Sequence, residues 1–505
     1  MLNFRKGIMK KSIIYIFLVA LIFSACDDGF EELNVNPTAS PRIDPASKFT
    51  ATLLYTSGSR YENWRANLIY SSTMIQHFAT TAGYWSGDKY SWNRGYASSQ
   101  FDYYYPNTVK AIEDVLFQLR EEQQPEEKIA IARILRVLIY QKLTDLYGDI
   151  PYSEAGKGFI DGITKPKYDA QSAIYADMLK ELEESAAALG SGTSDWGSAD
   201  IMFDGDQAKW KRFANSLMLR LSLRLIKVDP TSAESWATKA ISGGVMTSND
   251  DIAYIEHTNG PEGINKNGNG EVFTVDDSPR MSKTFIDFLK SGSDPRLPIL
   301  AARRSDGSTA PADLKGLPNG LDSDMLLAQT GEENTNAYAE PNRNIITGED
   351  APYFFQTYAE VEFMLAEANV RWGLAGDAET HYKNGVTAAM KMLSLYGEAA
   401  VIIDGDISTY LSNNPYDAGK ALEQINTQYW AATFLNECEA YANWRRVGFP
   451  VLTPTNYPGN ETNGTIPRRL TYPESEATSN PENYAAVVAA QGPDVLTTRM
   501  WWDKQ

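Results

Sequence analysis

Apolar residues at helical spacing recur in five stretches and form the strongest pattern in this chain. Ile131, Leu135, Leu138, Leu143 and Leu146 share one face at intervals near the 3.6-residue period. Pro125 opens that stretch, and Gly148 with Pro151 closes it. Ile174, Met178, Leu182, Ala186 and Leu189 form a second face, started by Asp169 and stopped by Gly190. Trp210, Phe213, Leu217, Leu221 and Leu225 form a third, stopped by Pro230. Tyr358, Val361, Leu365, Ala368 and Trp372 form a fourth. The fifth, with Tyr382, Val386, Ala389 and Leu393, follows a turn from Gly373 to Asp377. A mainly α-helical protein is predicted.

The fourth and fifth stretches make a helical hairpin. Its Leu365-Ala366-Glu367-Ala368 and Gly376-Asp377-Ala378 resemble a tetratricopeptide unit, which stacks on neighbours to share a core. Long segments interrupt the helices at Ala79 to Pro106, Gly243 to Arg280, Arg303 to Asp350 and from Val451 onward. Loops of that length carry function or brace other parts. The expected architecture is a curved scaffold of tetratricopeptide-like hairpins with a loop-rich remainder packed on it.

The amino terminus carries an address. Arg5, Lys6, Lys10 and Lys11 precede an apolar run from Ile13 to Phe23, and Ser24 and Ala25 lead to Cys26. A basic start, a short apolar core and small residues mark a secretory signal, with Met1 or Met9 as its first residue. The run is shorter than the ~20 residues of a membrane span. The cysteine at the cut resembles a bacterial lipobox, in which it is lipidated and becomes the new first residue. Residues 1–25 are thus expected to be removed and 26–48 to form a lipidated amino terminus and tether, rich in Asn, Pro and Ser from Asn34 to Lys48. Residues 49–505 would then form a single helical domain.

The net charge of −19 becomes −23 once the four basic residues before Cys26 are removed, which disfavours nucleic acid and anionic lipid surfaces as partners. With Cys26 lipidated, Cys438 is alone and no internal disulfide forms. Stability falls to the core, and 43% apolar content suffices for one.

Several further segments, taken in order, resemble the SusD/RagB family of outer-membrane nutrient-binding lipoproteins, and its second large subgroup in particular. They are Leu33-Asn34-Val35-Asn36-Pro37-Thr38, Leu143-Thr144-Asp145-Leu146-Tyr147-Gly148-Asp149-Ile150-Pro151-Tyr152 and Phe213-Ala214-Asn215-Ser216-Leu217 with Arg220 and Arg224. Asp294-Pro295-Arg296-Leu297, Tyr358-Ala359-Glu360-Val361-Glu362-Phe363, Trp444-Arg445-Arg446, Ile466-Pro467-Arg468-Arg469-Leu470 and Trp501-Trp502-Asp503 complete the series. The resemblance implies four tetratricopeptide-like helix pairs and a lipid-anchored place on the outer membrane, facing the cell surface. It also implies a role as the hinged lid of a TonB-dependent transporter of the SusC type, to which an oligosaccharide, or in some members a peptide, is passed. Asp27-Asp28 after Cys26 is similar to the surface-export signal of such lipoproteins.

Catalytic chemistry finds little footing. The three histidines, His77, His257 and His381, lie in no hydrolase or metalloprotease motif. Cys438 reads as a buried spare thiol. No cofactor motif appears. Asn265, Asn267, Asn269, Gly270 and Asp276 fall on EF-hand positions, but amides stand where carboxylates are needed, so a Gly/Asn-rich turn is the expected reading rather than calcium.

Aromatic residues are the better lead. Tyr84, Trp85, Tyr90, Trp92 and Tyr96 share a Gly-punctuated stretch with Asp88, Lys89, Asn93 and Arg94. Flat rings beside amides and charges suit sugar recognition, since a ring stacks on C–H faces while polar groups fix hydroxyls. Tyr84, Trp85, Tyr90, Trp92, Asn93 and Arg94 are the expected ligand-binding set; the family also places its site largely on loops after the first helix. Tyr103 to Tyr105 are assigned to packing. The competing reading is that all these rings brace the loop. Arg445-Arg446 and Arg468-Arg469 are expected to lock loops onto helices by carboxylate pairing. A capture-and-delivery protein is the reading that results; a surface-tethered glycan-degrading enzyme and a tetratricopeptide-type adaptor are the alternatives.

Overall fold

The computed structural model describes residues 43–260 and 265–504. The signal sequence, Cys26, Asp27-Asp28 and the tether up to residue 42 lie outside the described residues. Ten helices make the scaffold: α1 (Pro45–Ser57), α2 (Lys110–Glu121), α3 (Glu126–Tyr147), α4 (Gln171–Ala188), α5 (Gln207–Arg224), α6 (Pro230–Gly243), α7 (Tyr358–Trp372), α8 (Ala378–Lys391), α9 (Ala421–Ala432) and α10 (Glu437–Val447). Since α1 begins at Pro45, the last residues assigned to the tether are helical instead.

Short connections pair α2 with α3, α5 with α6, α7 with α8 and α9 with α10, while α4 fills the space between α3 and α5. The hairpin of α7 and α8 shows why. Thr357 caps α7 through the Glu360 N–H at 3.2 Å, and Glu360 answers by accepting the Thr357 N–H at 2.9 Å. Gly373 ends the helix at φ 71°, a left-handed conformation that favours glycine. Asp377 then caps α8 through the Thr380 N–H at 2.9 Å. Leu365, Tyr382, Val386 and Ala389 are buried between them. Gly385 lets the helices close, because a Cβ there would lie 2.6 Å from the Phe363 ring. Among the described residues, sheet is limited to four two-stranded ladders.

All four of the predicted loop stretches contain helices. Residues Arg94–Ala97 and Ser99–Tyr103 lie within the first, Gly268–Val275 within the second, Ser323–Thr330 within the third and Pro481–Gln491 within the last. Arg94–Ala97 and Gly268–Val275 are capped by asparagines, Asn93 and Asn267, which serve turns as readily as caps. Their apolar stripes are also too short for a periodic signal.

The scaffold is fastened by buried ion pairs. Arg220 donates to Glu360 at 2.7 Å and Arg224 to Glu439 at 2.6 Å, joining α5 to α7 and α10. Arg446 grips Glu367 with both nitrogens at 2.6 and 2.7 Å, joining α10 to α7. Arg468 holds Asp503, and Arg469 pairs with Asp494 at 2.9 Å. Arg445 differs from the expectation. It donates to the Arg468 carbonyl at 2.9 Å and lies over the Tyr441 ring at 3.9 Å, and burial pulls its pKa down.

Candidate functional site

A capping box formed by Ser59 and Glu62 starts the short helix Arg60–Glu62, which continues as a π-helix over Asn63–Ser72. π-winding is frequent at functional sites. Here it brings Tyr61, Trp64 and Arg65 to one surface. Burial pushes the Glu62 carboxyl beneath them up to about 7. The Arg65 guanidinium lies 3.9 Å from the Tyr61 ring centre and 5.1 Å from that of Tyr96. Trp64 meets Tyr84 edge to face at 6.4 Å. Four rings from three chain segments thus form a continuous half-exposed face.

One carboxylate sets its geometry. Asp276 is buried at the end of the helix Gly268–Val275, and its Oδ2 accepts the indole N–H of Trp64 at 2.9 Å and of Trp85 at 2.8 Å. Its Oδ1 accepts the Tyr84 hydroxyl at 2.7 Å and the Ser278 N–H at 2.9 Å. Burial raises the Tyr84 phenol above its ordinary range, so it remains a donor at neutral pH.

The expected ligand-binding residues divide. Tyr84 (42% exposed), Asn93 and Arg94 are on the surface, and Trp92 is half-buried. Arg94 stacks over Trp92 at 4.1 Å, and Asn93 caps the following turn through the Tyr96 N–H at 3.1 Å. Trp85 (0% exposed) and Tyr90 (1%) are core residues, which corrects the expectation that their rings meet a ligand. Trp85 is drawn inward by its bond to Asp276. Tyr90, at φ 50°, accepts the Thr455 N–H on its hydroxyl at 3.1 Å and the Glu461 N–H on its carbonyl at 3.0 Å. These two rings brace the loop. Tyr104 is buried, with Tyr103 and Tyr105 packed against the core.

Sequence reasoning missed Tyr61, Trp64 and Arg65, and treated Tyr96 as part of the loop without assigning it to the ligand. The signal was present: Ser59 and Glu62 spell a capping box, and Tyr61, Trp64 and Arg65 follow at spacings of three and four, one helical face. Asp276 was noticed only as a calcium position. That candidate fails on geometry. The side-chain oxygen of Asn267 caps its helix through the Asn269 and Gly270 N–H groups at 2.9 and 3.2 Å, and Asn269 binds Asn67 at 3.1 Å.

Groups with catalytic potential are occupied elsewhere. His77 is buried against Glu437 at 2.6 Å, and burial drives the His257 pKa down to about 4. His381 lies between Glu362 at 2.6 Å and the Ala375 carbonyl at 2.5 Å. Burial raises the Cys438 thiol, away from a reactive thiolate. Among the described residues, no helix is long and apolar enough to cross a membrane.

The helical scaffold thus presents a half-exposed face of rings, two of which, Trp64 and Tyr84, are held by a buried carboxylate. The family model SusD-like_2, described as "Starch-binding associating with outer membrane", matches residues 37–473. The chain belongs to this SusD-like family. Among solved structures, one described as a chitin-binding protein is 33% identical with a TM-score of 0.82, covering 92% of this chain and 100% of its own. One described as "Bacteroidetes AC2a SusD-like" is 27% identical with a TM-score of 0.81, at 92% and 100% coverage. A chitin-binding SusD homolog from Flavobacterium johnsoniae is 25% identical with a TM-score of 0.76, at 92% and 99% coverage. No curated protein matches.

Proposed function

We propose that this protein captures an oligosaccharide on the face formed by Tyr61, Trp64, Tyr84 and Tyr96 and delivers it, as a lid, to a SusC-type TonB-dependent transporter in the outer membrane. The observation that carries the reading is the set of half-exposed rings, Trp64 and Tyr84 fixed by one buried carboxylate and Tyr61 and Tyr96 joined through Arg65. Rings held rigidly lose little freedom when a sugar stacks on them. Trp92, with Arg94 stacked over it, lies on the same loop as Tyr84 and Tyr96. The family description and the two chitin-binding neighbours support a glycan as ligand, and oligomers of N-acetylglucosamine are the first to test. A peptide is the other ligand class that calorimetry on the full-length protein in detergent should screen. Tyr61→Ala and Tyr84→Ala should each weaken oligosaccharide binding by about tenfold, since a well-placed ring contributes on the order of 1–1.5 kcal/mol beyond its buried area. Unchanged affinity in both variants would refute the ring face.

Residues 1–25 serve in this reading as an export signal, and Cys26 as the lipid site. Stable anchoring takes two acyl chains or an equivalent second signal. Cys26→Ala should therefore leave the membrane fraction when expressed without the transporter. Its retention there would rule out the lipid anchor.

A further inference from the structure

A second recess is built from segments that contribute nothing to the ring face. Residues 198–204, the first turn of α5 and the strand Ala253–Ile255 with Glu256 after it line a cleft of about 440 Å³, within the roughly 300–1,000 Å³ range of small-molecule sites. Part of the lining is apolar. Met202 and Phe203 are buried there, and Ile201 and Tyr254 are half-buried. The strand pairs with Tyr353–Gln356, and the Tyr254 ring packs against that of Phe354 at 5.9 Å.

The rest of the lining is polar and unspent. Asp204 and Glu256 are exposed, and Lys209 is half-buried. Among the described residues, the side chains of Asp204 and Lys209 make no hydrogen bond or ion pair. Glu256 has only a long bond, from the Tyr254 hydroxyl at 3.5 Å. The loop that carries Asp204 is fixed without any ligand. Buried Asp200 accepts the N–H groups of Met202 at 3.1 Å, Phe203 at 3.2 Å and Gly205 at 2.9 Å, and the Trp210 indole at 2.6 Å. Thr50 of α1 donates to the Ala199 carbonyl at 2.7 Å. Asp204 itself stands at φ 51°, in the left-handed region, where non-glycine residues gather at ligand clamps.

The mixture of groups selects a ligand class. Sugar hydroxyls both donate and accept, so one sugar can satisfy carboxylates and an ammonium together while its C–H face covers a ring. An anion would face two carboxylates, and a cation would face Lys209. We infer that this cleft is a second glycan site, taking a neutral sugar stacked on Tyr254 with its hydroxyls bonded to Asp204, Lys209 and Glu256. The assignment rests on the ligand being a glycan, not on the ring face. A polysaccharide that engages both sites is held by avidity that a short oligosaccharide does not gain.

Calorimetry on the full-length protein in detergent tests it, with chitin hexasaccharide and maltohexaose as neutral probes. At least one of them should show two binding events. Tyr254→Ala and Glu256→Ala should each weaken one event by about tenfold and leave the other within about twofold. Tyr61→Ala should weaken the event that those variants spare. Glu256 is exposed, so its variant decides the matter even if Tyr254→Ala melts early. In Tyr61→Ala protein, hexagalacturonate, an anion, and fully deacetylated chitin hexasaccharide, a cation, should each bind the cleft at least about tenfold more weakly than the neutral probe. Two events that both cleft variants leave unchanged overturn the cleft. One event, weakened by Tyr61→Ala and spared by both cleft variants, overturns it too and leaves the ring face intact. One event weakened only by the cleft variants overturns the ring face and upholds the cleft. A charged probe that binds the cleft as tightly as the neutral one overturns the neutral assignment. Failure of both neutral probes to bind overturns the two sites together.

Discussion

Glu367→Ala is expected to destabilise the protein by about 3–5 kcal/mol at pH 7, measured by chemical denaturation, because it leaves the Arg446 guanidinium buried and uncompensated. Glu367 takes both forks of Arg446 and also the Arg371 Nε at 2.6 Å. A loss under about 1 kcal/mol would show that solvent reaches the site and that the pair does not hold α10 to α7. The pH dependence has a definite sign. Burial alone would raise the Glu367 carboxyl, but Arg446 and Arg371 hold it well below its ordinary 4.5. A depressed folded pKa gives stability that is complete above the unfolded value and fades as pH falls toward the folded one. The gap between wild type and variant should stay constant from pH 7 to about 4.5 and narrow below that.

Trp85→Ala should cost about 3–5 kcal/mol of stability, the range for a large buried ring cut to a methyl group. It also removes one of the donors that satisfy Asp276. Tyr84→Ala, one position earlier, should leave stability within about 1 kcal/mol, because its ring is part-exposed and Asp276 keeps its other donors. The two variants therefore separate by assay: Trp85→Ala should show in the denaturation midpoint, Tyr84→Ala in oligosaccharide affinity. Trp85→Ala with an unchanged midpoint and lost binding would place that indole at the ligand after all.

The helical scaffold was legible because its evidence is local. Caps and apolar stripes lie within twenty residues of one another, as in Thr357, Glu360 and Leu365, or Asp377, Tyr382 and Val386. The direction in which each aromatic residue points was not. Trp85 and Tyr84 are neighbours of similar chemistry, and what turns one inward is Asp276, about 190 residues away, which no spacing rule links to them. Arg445 and Arg446 divide for the same reason, one meeting Glu367 and the other backbone carbonyls. Partner identity is a tertiary fact, so the sequence marked the loop as rich in rings but could not sort them.

The braces on Tyr90 and Trp92 also bear on the order in which the molecule assembles. Trp92 donates to Glu461 and Thr471 across 369 and 379 residues. Closing so long a loop precedes any gain from the contact, so pairings of this kind form late in folding. A chain that folds from its amino terminus as it emerges would complete its helical hairpins while this loop still lacked its partners. Sugar-binding competence would then appear last, and an assay for binding would report on complete molecules only.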